Sequence, residues 1–321
     1  MKHSTALQQL FKGPDIFVIP GGACALHARF LEAAGFACVY MSGAQTSAHI
    51  FGIPDAGLIT MTEMVQNAGR MARAVNIPLI SDADQGFGNA VNTRRTVQEF
   101  IWAGVAGIHI EDQPMPKRCG NVKGKRVISI DEAIGKYRAA VDAKRELDPD
   151  FVIIARCDAR GAAGGTLEEV IQRLKAYKST GVDVLYFEQP LSLDEIKAVR
   201  REVEGPLMAT THLLKPAPTV ADLAGAGLSA AFLPGLIMDV ALRAAWDYAH
   251  DFMRRGEAAR QDWNQRPYTH PMPHVFDIVG FPKIFEWEQR YLPAEEVNAR
   301  YETSVGGYDP RTGGSQRSPA S

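Results

Sequence analysis

The chain has 321 residues, 46% hydrophobic and 22% charged, with 35 Lys and Arg against 37 Asp and Glu. These proportions exclude a disordered or fibrous chain, and a net charge of −2 excludes a strongly basic nucleic-acid binder. No uninterrupted apolar run reaches the roughly 18 residues of a membrane span, and residues 1–10 lack a signal-peptide pattern, so a cytoplasmic protein is expected.

Short apolar runs rich in Val, Ile, Phe and Leu predict strands at residues 16–19, 37–41, 78–82, 107–111, 151–156, 183–188, 206–210 and 229–233. Helical patterns fill the gaps at 23–34, 62–75, 92–103, from near Ser129, and at 166–180, 194–203 and 219–226. The 166–180 helix has Thr166 as a cap, Glu168 and Glu169 in its first turn and Gly181 as its stop. Eight alternations without a break in composition predict an α/β fold, a (β/α)8 TIM barrel forming one catalytic domain over residues 1–255. The stretch 20–27, PGGACALH, does not match GxGxxG, which argues against a doubly wound nucleotide-binding sheet. A long helix is expected over 238–254. A helical, Pro-rich extension follows over 256–305, expected to pack on the barrel or on a neighbouring subunit, and a Gly/Ser/Pro/Arg-rich disordered tail closes the chain over 306–321.

Catalytic groups of such barrels come from the C-terminal ends of strands. Those ends carry Asp82 and Asp84 (SDADQGFGN), Glu111 and Asp112 (HIEDQ), Arg156 (ARCDAR), Glu188 (FEQP), and Thr210 and Thr211 (ATTH). Period-2 spacing lets Asp82 and Asp84 point the same way, and Glu111 joins them from the next strand. Three carboxylates so close repel unless a cation lies between them, and oxygen-only donors suit Mg²⁺ or Mn²⁺. For any one of these acids alone, a solvated loop position or a helix cap is the more ordinary explanation. The basic loop 114–126, PMPKRCGNVKGKR, is long enough to be a lid. It holds Cys119 among Lys117, Arg118, Lys123 and Lys125, a setting that favours thiolate, with an inert loop cysteine as the alternative. Cys24, Cys38 and Cys157 are expected in packing roles, and His109 as a core group; His270 and His274 fall in the Pro-rich segment as surface or interface residues.

YMSGAQTSAHIFGIPD, SDADQGFGNAVNTRRTVQEFIWAGVAGIHIEDQ, PKRCGN and IIARCDAR resemble the isocitrate lyase/phosphoenolpyruvate mutase superfamily, nearest in pattern to the 2-methylisocitrate and dimethylmalate lyases, over about residues 15–254. The resemblance implies a barrel whose last helix is swapped between subunits of a homotetramer. It implies Mg²⁺ held by Asp82, Asp84 and Glu111 with Asp55 contributing, and a substrate carboxylate bound at Ser42, Gly43 and Ala44 beside Tyr40. It also implies that Arg156, Glu188 and Thr210, with Gly120 and Asn121 of the lid, contact a small carboxylate substrate. Cys119 would protonate the departing carbanion, and Tyr40 is the candidate for taking the hydroxyl proton.

The implied activity is retro-aldol cleavage of a 2-hydroxy di- or tricarboxylate to a 2-oxo acid and a carboxylate. Oxaloacetate hydrolysis or decarboxylation, or phosphonate chemistry, is the alternative on the same scaffold. The mutases lack the lid cysteine, so Cys119 weighs against phosphonate chemistry, while a non-catalytic interaction protein would have had no need to keep all these groups. Two departures bear on substrate choice: Asn121 stands where the lyases have His, and ATTH where methylisocitrate lyases have an Asn-containing strand.

Overall fold

The computed structural model describes residues 1–265 and 273–312. In chain order the elements of the barrel are α1 (His3–Lys12), β1 (Phe17–Gly22), α2 (Ala25–Ala33), β2 (Val39–Met41), α3 (Gly43–Thr46), α4 (Met61–Ala74), β3 (Leu79–Asp82), α5 (Ala90–Trp102), β4 (Gly107–Glu111), α6 (Ile130–Leu147), β5 (Val152–Cys157), α7 (Leu167–Lys178), β6 (Val184–Phe187), α8 (Leu193–Glu202), β7 (Leu207–Thr210), α9 (Val220–Gly225) and β8 (Ala230–Leu233). The eight strands are parallel, each bonded to its sequence neighbour, and β8 closes on β1 through Phe17–Ala230 to Pro20–Leu233. The expected (β/α)8 barrel is the fold observed.

Nearly every strand residue is buried, because one face meets the helices and the other the barrel interior. Alternation along β5 separates the two environments: Val152 and Ile154 belong to the inner core, Ile153, Ala155 and Cys157 to the layer under the helices. Cys157 is therefore a packing residue, turned away from Arg156 as the sequence indicates. Two elements were not foreseen. Helix α1 inserts Leu7 and Phe11 into the inner core at the N-terminal end of the barrel. After β2, α3 runs into a π-helical turn, Ser47–Phe51. The helix termini use the expected chemistry: Thr166 accepts from Glu169 N, and Thr60 with Glu63 makes a reciprocal cap two residues before the predicted start of α4.

Beyond β8 lie α10 (Met238–Arg255), α11 (Glu257–Gln265), α12 (Val275–Val279), α13 (Phe281–Tyr291) and α14 (Ala294–Thr303). The chain divides into two compact units after Ala241, inside α10, and not after residue 255 as expected. The reason is that α10 buries no residue. Within the second unit, His274 caps α12 by accepting from Phe276 N, and Tyr308 stacks on His274 with ring centroids 4.8 Å apart and donates to Asp277. Tyr308, in the stretch expected to be a disordered tail, thus packs on α12; residues 266–272, with His270, and 313–321 lie outside the described residues.

Gly21 tests the barrel closure. A Cβ there would overlap the Pro234 backbone, whereas one at Gly225, in α9, meets nothing within 4 Å. Gly21→Ala should lose about 1–3 kcal/mol in urea unfolding, and Gly225→Ala should gain about 0.4–1 kcal/mol.

Candidate active site

Strand alternation delivers one inward row at the C-terminal rim. Tyr40, His109, Tyr186 and Phe232 form a closed ring of aromatic contacts across the barrel, with centroids 5.4, 5.6, 5.3 and 4.8 Å apart in turn. Tyr40, Tyr186 and Phe232 of this ring line a cavity of about 100 Å³. Its walls are Ser42, Ala44, Asp55, Asp82, Arg156 and Glu188, then Thr210, His212, Pro234 and Met238, with Cys119, Gly120 and Asn121 from the lid.

The acids gather as expected but by a different local geometry. Asp82 ends β3 and points inward, whereas Asp84 sits past the strand with a left-handed φ of 45°, so period-2 alternation does not place it. Asp82 accepts from Tyr40 Oη (3.2 Å), Gly43 N (3.0 Å) and Asp84 N (2.9 Å). Gly43 N–H, expected to face a substrate carboxylate, is therefore taken by Asp82, and a Cβ at Gly43 would overlap that carboxylate. Lys117 Nζ lies 2.5 Å from Asp55 and 2.9 Å from Asp84. Gly43, Asp84 and Glu111 do not line the cavity but lie against the residues that do.

Among the described residues no three His, Cys, Asp or Glu side chains form a ready metal cage, since the Lys117 ammonium occupies the space between two of the acids. The donor set nonetheless fits a hard cation. Glu111 is buried, 3.4 Å from Arg156 Nη1, and neither of its oxygens accepts a hydrogen bond. Burial raises its pKa well above the carboxylate range and raises that of Asp84 to about 6. Burial also opposes ionisation of Asp82, but protonated His109, Lys117, Arg156 and the Asp84 N–H outweigh it and lower its pKa. His109 itself is lowered to about 4, chiefly by burial, and is neutral at pH 7, leaving Lys117 and Arg156 as the charges that hold Asp82 ionised. Its Nε2 lies 2.7 Å from Tyr40 Oη.

Arg156 is clamped from behind by Asp158, which accepts from Nε (2.8 Å) and Nη2 (3.0 Å), and its guanidinium lies over the Tyr186 ring. Tyr186 Oη and Thr210 Oγ1 both hydrogen-bond Glu188. The lid runs directly above: a Cβ at Gly120 would overlap Glu188 and press on Arg156, so only glycine fits. Cys119 N donates to Asp55 O at 3.0 Å. The thiolate expected for Cys119 is not favoured. Burial first, then the Asp55 charge, pushes its pKa up to about 11, against weaker opposing effects of the Asn121 N–H, Lys117 and Arg156. Lys117 is engaged by acids, and Arg118 and Lys123 are exposed. Cys119 is a protonated thiol at neutral pH.

Sequence reasoning did not single out His109, Asp158, Lys117, Lys125 or Gln113 as site residues. Two left a local signal: His109 sits two positions before Glu111 on β4, and Asp158 two positions after Arg156, just past the end of β5.

The family profile described as phosphoenolpyruvate phosphomutase matches residues 7–253. The chain is 40% identical to 2,3-dimethylmalate lyase of Eubacterium barkeri over 91% of its length and 99% of the relative's. It is 35% identical to 2-methylisocitrate lyase of Aeropyrum pernix over 93% and 94%. Its structure superposes on oxaloacetate acetylhydrolase in complex with 3,3-difluorooxalacetate with a TM-score of 0.82 at 32% identity, covering 90% of this chain and 97% of the other. It superposes on phosphonopyruvate hydrolase in complex with oxalate and Mg²⁺ with a TM-score of 0.78 at 29% identity, covering 91% and 100%. The chain belongs to the phosphoenolpyruvate phosphomutase family, within the isocitrate lyase/phosphoenolpyruvate mutase superfamily of enzymes.

The thiol state is measurable. Iodoacetamide alkylation of Cys119, followed by peptide mass spectrometry, should accelerate about tenfold per pH unit between pH 7 and 10, with its midpoint near the raised pKa of about 11. A plateau below pH 9 would return the thiolate.

Proposed function

We propose that the protein is a Mg²⁺-dependent carbon–carbon lyase of a small 2-hydroxy dicarboxylate, of the dimethylmalate type, yielding a 2-oxo acid and a carboxylate. The observation that carries this is the placement of the lid thiol of Cys119 in the lining of one cavity with Arg156, Asp55 and Asp82. A cleavage that generates a carbanion needs a proton donor at that place.

The size and charge of the cavity support a dicarboxylate over a tricarboxylate. It measures about 100 Å³, and Arg156 is its one permanent cation among the lining residues, facing Asp55, Asp82 and Glu188. A third substrate carboxylate would meet those acids without a partner. Phe232, Pro234 and Met238 offer an apolar wall for methyl substituents. The 40% identity to 2,3-dimethylmalate lyase points the same way.

Asp82, Asp84, Glu111 and Asp55 are the residues that would hold Mg²⁺, with Mn²⁺ as an alternative, and the neighbour that binds oxalate and Mg²⁺ supports this choice. When bound, the ion supplies Lewis-acid stabilisation of negative charge on the substrate oxygens. Arg156 and the end of β2 at Ser42 and Ala44 would orient the carboxylates. Tyr40 stays a phenol, its pKa raised by burial and by Asp82, and is the candidate for taking the substrate hydroxyl proton, with Asp82 and His109 Nε2 as its hydrogen-bond partners. The carbon–carbon bond breaks, the hydroxyl carbon becomes a carbonyl, and the electron pair moves to the departing carbon beside its carboxylate. Cys119 Sγ gives that carbon its proton and is reprotonated from solvent when the lid opens.

Hydrolysis of oxaloacetate to oxalate and acetate is the second reading, favoured by the superposition on oxaloacetate acetylhydrolase. Incubation with 2-hydroxy di- and tricarboxylates and with oxaloacetate distinguishes them. The lyase releases 2-oxo acid from a substituted malate and is silent with oxaloacetate; oxalate release from oxaloacetate would overturn it. With the active substrate, Cys119→Ala should reduce kcat at least 1,000-fold, about 4 kcal/mol, while product binding persists. Asp82→Asn, or treatment with EDTA, should abolish activation by Mg²⁺.

A homo-oligomer, with a swapped helix and four subunits, is part of the same reading. In α10, Leu242, Trp246, Phe252 and Met253 are exposed, with Trp246 at 68% and Met253 at 85%, and this apolar surface suits a second copy. Light scattering should give four times the 35.1 kDa chain mass, and Trp246→Glu with Met253→Glu should lower it.

A further inference from the structure

Cys119 has no rigid element beneath it. It lies on a 13-residue loop, yet the residues on either side are gripped by side chains from the barrel rim and the loop base. On one side, Gln113 holds the Arg118 backbone twice: its Oε1 accepts from Arg118 N at 3.0 Å and its Nε2 donates to Arg118 O at 2.9 Å. On the other, Lys125 Nζ donates to Gly120 O at 2.8 Å.

The two arms meet at one carboxylate. Gln113 Nε2 and Lys125 Nζ each lie 3.2 Å from Asp158 Oδ1, and the same carboxylate holds Arg156 through both of its oxygens. Lys125 is almost fully buried, and Gln189 Oε1 at 2.9 Å is its third acceptor, so every ammonium hydrogen is committed. Gly161 permits this, because a Cβ there would collide with Lys125 and Gln189. Asp158 is itself fixed from outside the barrel: its N–H donates to Asp112 Oδ1 at 2.8 Å, and Tyr177 Oη donates to Asp112 Oδ2 at 2.6 Å.

We infer that Asp158 is a positioning residue that sets the lid thiol and the substrate arginine in one frame, acting on Cys119 through Gln113 and Lys125 and on Arg156 directly. The inference rests on the proposed roles of Cys119 and Arg156, but the geometry of support does not. Loss of the carboxylate frees both grips on the loop and unlocks the guanidinium at once. Loss of one arm frees only the thiol.

The test is Cys119 alkylation by iodoacetamide in the full-length protein at pH 8, resolved by peptide mass spectrometry, with half-buried Cys24 as internal reference. Gln113→Ala and Asp158→Asn should each raise the Cys119 rate at least fivefold and leave Cys24 unchanged. On the substrate identified by turnover, Gln113→Ala should lower kcat at least tenfold with KM unchanged, whereas Asp158→Asn should lower kcat and raise KM at least tenfold each. If Asp158→Asn does not fold, by its melting curve, Gln113→Ala decides alone. A folded Gln113→Ala protein with a wild-type alkylation rate at Cys119 overturns the inference. Faster alkylation in a protein that cleaves no 2-hydroxy acid keeps the support frame and removes the lyase reading.

Discussion

Six carboxylates, those of Asp55, Asp82, Asp84, Glu111, Asp158 and Glu188, meet at the barrel rim, where Lys117, Lys125 and Arg156 are the cations that pair with them. Most of these groups are buried, where unpaired charge is expensive. The protein meets the problem in three ways. It commits Lys117 to Asp55 and Asp84, commits Lys125 and Arg156 to Asp158, and leaves Glu111 with two oxygens that nothing bonds. That unbonded carboxyl is the observation on which the proposed Mg²⁺ role rests.

The same crowding of acids sets the protonation of the lid. Cys119 lies in a loop of basic composition, yet the lysine closest to it in role is consumed by acids, and the backbone of Cys119 is bonded to Asp55. Burial and the remaining negative charge therefore keep the thiol protonated. A protonated thiol suits donation to a carbanion, and a thiolate would not. The aromatic side chains of Tyr40, Tyr186 and Phe232 line the same cavity and pack with His109 in one ring across the barrel.

The barrel contributes precision where the loop cannot. Strand register sets Glu111 beside Arg156, and Arg156 beside Tyr186. Asp158, one residue past β5, extends that order into the lid through Gln113 and Lys125. Glycine at 43, 120 and 161 lets backbone and side chains approach at these crossings without a Cβ between them.

The barrel was legible in the sequence because eight apolar runs, each buried on two faces, alternate with amphipathic helices, and strand ends mark themselves by a change to polar residues. That pattern also indicated Asp82, Arg156, Glu188 and Thr210 as rim residues, whereas Tyr40 came from the family resemblance, and the inward row obeys the same period of two. Composition misled at Cys119, since neighbours in sequence were counted as neighbours in space. It misled at Asp84, where a left-handed residue follows the strand. Helix α1, the pairing of Lys117 with Asp55 and the meeting of Gln113, Lys125 and Asp158 join positions 33 to 62 residues apart, or elements with no local signature. The sequence by itself determined which residues alternate inward; only the tertiary structure decided which charges neutralise one another, because that depends on distance across the barrel mouth and on exclusion of water.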